Sequence, residues 1–160
     1  MRLPLSFSLL ISVLLTVLAP SIRGSQLGGY SPDIWTVIFL LIVRTPLPFS
    51  LKRSIIFGIV LGLLRSSVSI ASPVDSWAIL FSSLWFREAF GRRFSDTTLY
   101  FRFLVAVISL LPVLVGNFAL SSRYGLDFFW SQSLVGICFG AILISLFPHQ
   151  KKILFLNSFK

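Results

Sequence analysis

The sequence predicts an all-α integral membrane protein, a single polytopic domain over residues 1–160 built as a bundle of about six transmembrane helices. Three observations lead there. First, 56% of the residues are hydrophobic, 17 of them Phe, and the mean hydropathy is +0.92. Second, charged residues make up 12% of the chain, about half the usual share in a soluble domain. So small a soluble body leaves much of its surface in water and could not hide this much apolar side chain, so the expected solvent is lipid. Third, the basic residues alternate in density from one connection to the next, as cytoplasmic and external loops do.

Six apolar segments carry the prediction: about 3–19, 33–46, 55–71, 74–90, 99–120 and 128–147. The first, "LPLSFSLLISVLLTVLA", follows Arg2 and stops at Pro20. It lacks good small residues at a cleavage position, so an uncleaved span is expected rather than a signal peptide. The Gly/Ser-rich "SIRGSQLGGYSPD" leads to the second segment, which closes before the breaker run "TPLPF". The third, "SIIFGIVLGLLRSSVSIA", meets Arg65 early. From Arg53 to Arg65 a helix rises roughly 18 Å, short of a ~30 Å hydrocarbon core. The fourth leads into the basic "REAFGRRF" with Arg87, Arg92 and Arg93, read as a cytoplasmic basic loop. The fifth contains Pro112, which removes the hydrogen bond to the Ile108 carbonyl and is expected to kink the helix. Asn117, one turn on, is expected near the outer surface with no special role. The sixth ends at Pro148, before Lys151 and Lys152.

With the connections numbered alternately from inside, the inner set is Arg2, Arg44, Lys52, Arg53, Arg87, Arg92, Arg93, Arg102, Lys151, Lys152 and Lys160. The outer set is Arg23, Arg65 and Arg123. This bias places both termini in the cytoplasm; a four-span arrangement with two re-entrant segments is the rival. The net charge of +9 thus reflects cytoplasmic loops, and no nucleic-acid partner is expected. Asp33, Asp75 and Asp127 stand at the starts of segments two, four and six, where a carboxylate caps free N–H groups or pairs with the outer arginines.

Catalytic chemistry is missing from the pattern. There is no Gly-x-Ser-x-Gly elbow, no phosphate-cradling loop, no metal-ligand spacing and no pair of carboxylates close to one another within a span. The expectation is a protein that is not an enzyme, with no cofactor and no metal. Cys138 is read as a small buried residue and His149 as an interfacial one. Gly58/Gly62 and Gly136/Gly140 make small-xxx-small faces that let helices approach closely, either inside the bundle or at a partner interface.

The stretch from Tyr30 to Phe94 resembles the bacterial rod shape-determining protein MreD family. "SPDIWTVIFLLIV" is similar to the Pro-Asp opening of that family's second helix. "FGIVLGLLRSSVSIASPVDSWAIL" resembles its central stretch, a Gly-Leu-Leu helix end, a short polar loop and the next helix. Family members usually carry an aspartate just after that helix end, and here Arg65 inverts the charge. The sequence reading therefore groups Arg65, Asp75 and Asp33 as a polar cluster on the outer side, where Arg65 either sits in a protein pocket beside a carboxylate or snorkels to the interface.

The resemblance implies a bundle similar to the substrate-binding subunits of energy-coupling-factor transporters. It also implies a multi-pass protein of the bacterial cytoplasmic membrane that acts as a scaffold or regulator of cell elongation, supporting cell shape and lateral peptidoglycan synthesis. Its partners would be a single-span MreC-like protein, the actin-like MreB, the glycosyltransferase RodA and a class B penicillin-binding protein, besides the lipid bilayer. The alternative function is a vitamin-type transporter subunit. The segments that would line its pocket offer mainly Ser, Thr and Phe, so no common water-soluble vitamin is expected to bind.

Overall fold

The computed structural model describes residues 5–23, 30–43, 51–91 and 98–146. Within them the chain is all-helical, with six helices and no strand. They are α1 (Leu5–Arg23), α2 (Ile34–Ile42), α3 (Leu51–Val68), α4 (Pro73–Gly91), α5 (Leu99–Tyr124) and α6 (Trp130–Leu146).

Several boundaries differ from the sequence prediction. α1 runs through Pro20 to Arg23: Pro20 has no N–H for the Thr16 carbonyl four residues earlier, yet the helix continues for three residues beyond it. α2 ends at Ile42, with Val43 already extended at φ −74°, ψ 108°; positions 44–46 of the predicted span lie outside the described residues. α3 starts at Leu51 and takes Lys52 and Arg53 into its first turn. It stops at Val68 because Ser72-Pro73 opens α4. Proline suits the first helical position, and Ser72 and Asp75 bond reciprocally: the Asp75 N–H donates to Ser72 Oγ (3.2 Å) and the Ser72 N–H to Asp75 Oδ2 (3.2 Å). α5 extends beyond the predicted Leu120 to Tyr124, where Gly125 at φ 63° takes the left-handed turn. The Leu126 N–H reaches back to the Ser121 carbonyl at 2.9 Å and closes the helix. α6 begins at Trp130, so Asp127 precedes the helix instead of occupying its first turn.

The nine-residue α2 sits at the centre and touches α1, α3, α4 and α6. Trp35, Phe39 and Leu40 are fully buried there. Phe39 stacks on Phe57 of α3 (centroids 6.3 Å apart) and meets Phe81 of α4 edge-on at 5.9 Å, geometries that suit the ring quadrupoles. The four glycines named above pack within this bundle. Gly58 leaves room for the Phe81 ring, Gly62 for Trp77, Gly136 for the Tyr30 and Ser31 carbonyls, and Gly140 for Leu110 and Val37. Gly116, which the sequence reading did not single out, does the same for Ile79.

Residue polarity is distributed against the habit of soluble proteins. Ser12, Thr16, Thr36, Ser54, Ser76, Ser83, Ser109 and Ser145 are buried. Leu10, Val17, Ile56, Leu63, Trp85, Val115, Phe139 and Leu146 are exposed. Thr16, Ser109 and Ser145 donate to carbonyls three or four residues earlier on their own helices; Thr16 Oγ1, 2.7 Å from the Ser12 carbonyl, also accepts from Trp35 Nε1 (3.0 Å), tying α1 to α2. Among the described residues one helix, Leu99–Tyr124, is long and apolar enough to cross a membrane by itself. The stretches Leu9–Ser21, Ser54–Val68 and Trp130–Leu146 are apolar but shorter.

Candidate functional site

One arginine gathers four helices. Arg65 lies on the last turn of α3, inside the helix rather than after its end, and is 3% exposed. Its Nε donates to Asp33 Oδ2 at 2.9 Å, one NH1 hydrogen goes to Ser76 Oγ at 3.3 Å, and one NH2 hydrogen goes to Asn117 Oδ1 at 3.0 Å. The partners come from the N-cap position of α2, the first turns of α4 and the C-terminal half of α5. The planar guanidinium suits this task, since its five N–H donors point in fixed, divergent directions. A lone buried charge would be costly; here an opposite charge and two neutral acceptors offset the lost water.

The ion pair explains an oddity of α2. Asp33 occupies the N-cap position, yet its side chain makes no capping bond, because its carboxylate is turned to Arg65. Asp75 does the opposite. Its Oδ2 accepts from Ser72 Oγ at 2.7 Å and from the Ser72 N–H, so it caps α4. Of the two carboxylates grouped with Arg65 in the sequence, Asp33 makes the salt bridge and Asp75 completes a helix cap.

Asn117 and Ser76 are the members that the sequence reading missed. Asn117 is not an idle surface amide but a ligand of a buried guanidinium. The available signal was its position: an amide inside a long apolar helix is expensive unless paired. Ser76 carried no such signal, since serine is frequent throughout this chain.

The basic cluster also needs correction. Arg87 is not in a loop. It lies within α4, is buried, and its NH1 donates to the Leu40 carbonyl. α2 stops two residues later, which leaves that carbonyl without an intrahelical donor, and Arg87 supplies one. Arg92 and Arg93 fall outside the described residues, as does His149. Cys138, expected to be buried, is exposed on α6.

Beside the Arg65 cluster lies a cavity of about 640 Å³. It is bounded by the start of α2, the end of α3 with the turn after it, the C-terminal half of α5 and the first half of α6. Asp33, Arg65 and Asn117 form its polar side, and Val37, Val113 and Ile137 are among its apolar walls. Two buried oxygens on residues of this wall, Asp33 Oδ1 and Ser69 Oγ, have no hydrogen-bond partner among the described residues. Comparisons with protein-family models, with curated proteins and with solved structures find no match to this chain.

Proposed function

We propose that this chain is a non-enzymatic, multi-pass subunit of the bacterial cytoplasmic membrane that scaffolds or regulates the cell-elongation complex, in the manner of the MreD family. The observation that carries the reading is the Asp33–Arg65 pair. The two motifs behind the family resemblance are the Pro-Asp opening of α2 and the Gly-Leu-Leu end of α3, and this salt bridge joins them in space. Arg65 stands where the family usually has an aspartate, and the charge inversion is matched by a carboxylate 32 positions away.

The membrane part of the proposal is supported by the reversed polarity of the bundle. Around the apolar core, eight serines and threonines are buried between helices while many other leucines, isoleucines and aromatics face outward, the arrangement expected where lipid is the solvent and small residues mediate helix contacts. In the proposed six-span topology both termini are cytoplasmic and the Arg65 cluster is at the outer face. A cysteine placed at Ser122 is therefore expected to react with a membrane-impermeant maleimide in intact cells. Reaction only after lysis would reverse the orientation.

In function the protein would hold a single-span MreC-like partner and, through it, MreB, RodA and a class B penicillin-binding protein. Affinity purification of the tagged chain from mild detergent is expected to recover such a partner, and depletion in a rod-shaped host to give rounded cells with normal vitamin uptake. The cavity beside Arg65 favours one second reading, a small-molecule transporter subunit. That reading requires the reverse outcome: a tightly bound small molecule in the native preparation, and unchanged cell shape on depletion.

A further inference from the structure

We infer that the cavity beside Arg65 is a binding site for an uncharged small molecule that presents an amide-type edge, a hydrogen-bond acceptor beside a donor, on an apolar body. The inference stands apart from the partner reading, since a scaffold and a transporter could each hold such a ligand.

The polar side of the cavity is built but not saturated. Arg65 gives one hydrogen to each of Asp33, Ser76 and Asn117. A guanidinium has five N–H groups, so one hydrogen on each terminal nitrogen has no partner among the described residues. Asp33 spends Oδ2 on Arg65, and its Oδ1 is buried with no partner among them. The Asp33 side chain is 6% exposed and that of Arg65 is 4% exposed, so bulk solvent hydrates neither group well and a partner meets them from the cavity they line. Unmet donors and an unmet acceptor therefore stand together, on groups whose charges are equal and opposite. A ligand with a net charge would leave one charge of the pair uncompensated in a poorly solvated place. A neutral group with an acceptor toward Arg65 and a donor toward Asp33 satisfies both. Elsewhere the lining combines apolar Val37, Val113, Leu114 and Ile137 with hydroxyls such as Ser121 and Ser133, and the volume of about 640 Å³ lies in the range of small-molecule sites.

Three probes of nearly equal shape separate the possibilities: benzamide carries acceptor and donor without charge, benzoate is an anionic acceptor, and benzylamine is a cationic donor. Each is titrated by saturation-transfer NMR against the full chain in lipid nanodiscs, up to about 10 mM, tenfold above the roughly 1 mM Kd expected of so small a fragment. The Ser133→Trp variant, which fills the cavity from α6, corrects for partition into lipid. Leu114→Trp does so from α5 if the first variant fails to fold. Benzamide is expected to bind saturably and to lose at least tenfold in affinity in the filled variant. Benzoate and benzylamine are expected to bind at least tenfold more weakly than benzamide. Equal binding of the three probes overturns the proposed chemistry, and benzamide binding that is absent or indifferent to the filled cavity overturns the site.

Discussion

Replacing Arg65 with Met is expected to lower the stability of the bundle by about 3–5 kcal/mol, the usual cost of breaking a buried ion pair from one side. Met keeps most of the unbranched stem, so the loss reports the guanidinium rather than a void. Asp33, Ser76 and Asn117 would each lose a donor at once, and the Asp33 carboxylate, whose Oδ1 is already unpartnered among the described residues, would keep no counter-charge there. Arg65→Lys is expected to rescue little, because an ammonium on a flexible stem cannot hold acceptors from three other helices in the fork that arginine provides. The double change Arg65→Met with Asp33→Asn is expected to recover about 1–3 kcal/mol of the loss, the range of coupling between contacting residues. Denaturant or thermal unfolding in detergent checks the cycle. Losses that simply add would show that Arg65 and Asp33 do not act as a pair. Asp75→Asn combined with Arg65→Met serves as the control and is expected to be additive, because Asp75 is bonded to Ser72.

Gly62→Ala is expected to destabilise the protein by about 1–3 kcal/mol, the cost of overpacking. The added methyl would fall on the ring of Trp77. That ring cannot easily move aside, because its Nε1 donates to the Ile59 carbonyl at 3.0 Å, one turn earlier on the same helix as the glycine. The indole therefore lies along α3 with the missing side chain of Gly62 as its seat. Trp77→Leu in the Gly62→Ala background is expected to remove most of the clash. The comparison is between the alanine's effect with Trp77 present and with it absent, read from unfolding midpoints. An alanine as costly without the indole as with it would mean that Gly62 serves some need other than this contact.

The all-helical class was legible in the sequence because hydrophobic content, charge scarcity and breaker residues all pointed one way. Helix positions were legible where apolar runs met strong stop signals, as at Pro73 and Gly125, although the second was not used and α5 runs four residues past its predicted end. α2 ends at Ile42, one residue short of the last residue of its apolar run, Val43, whose backbone is already extended. Arg65 stood out because charge is expensive in such a segment, and Asp33 was one of two carboxylates available to it. The choice between them rests on local chemistry: Ser72 lies three residues before Asp75 and forms a capping box with it, which takes Asp75 out of contention. Serine before proline and three residues before aspartate was readable as that cap. Arg87 was misplaced because a cluster of basic residues after an apolar segment looks like a loop, whereas the carbonyl it satisfies belongs to a helix 47 positions earlier. No local pattern reports such a pairing.

The separation of Asp33 and Arg65 along the chain has a consequence for the order of events during synthesis. The two residues are 32 positions apart, and Asn117 follows Arg65 by a further 52. At roughly 5–20 residues per second, the carboxylate leaves the ribosome roughly 2–6 seconds ahead of the guanidinium. α2 has nine residues and rises about 14 Å, half the thickness of the hydrocarbon core. The helical part of the second span is thus too short to cross the bilayer by itself, and its acidic end has no counter-charge until α3 follows. Insertion would then proceed by hairpin, with α2 waiting beside the insertion machinery until α3 delivers Arg65 and Asp33 enters with its charge matched. Early truncation between Ile42 and Arg65 would strand an acidic half-span, a form that quality-control proteases should remove quickly.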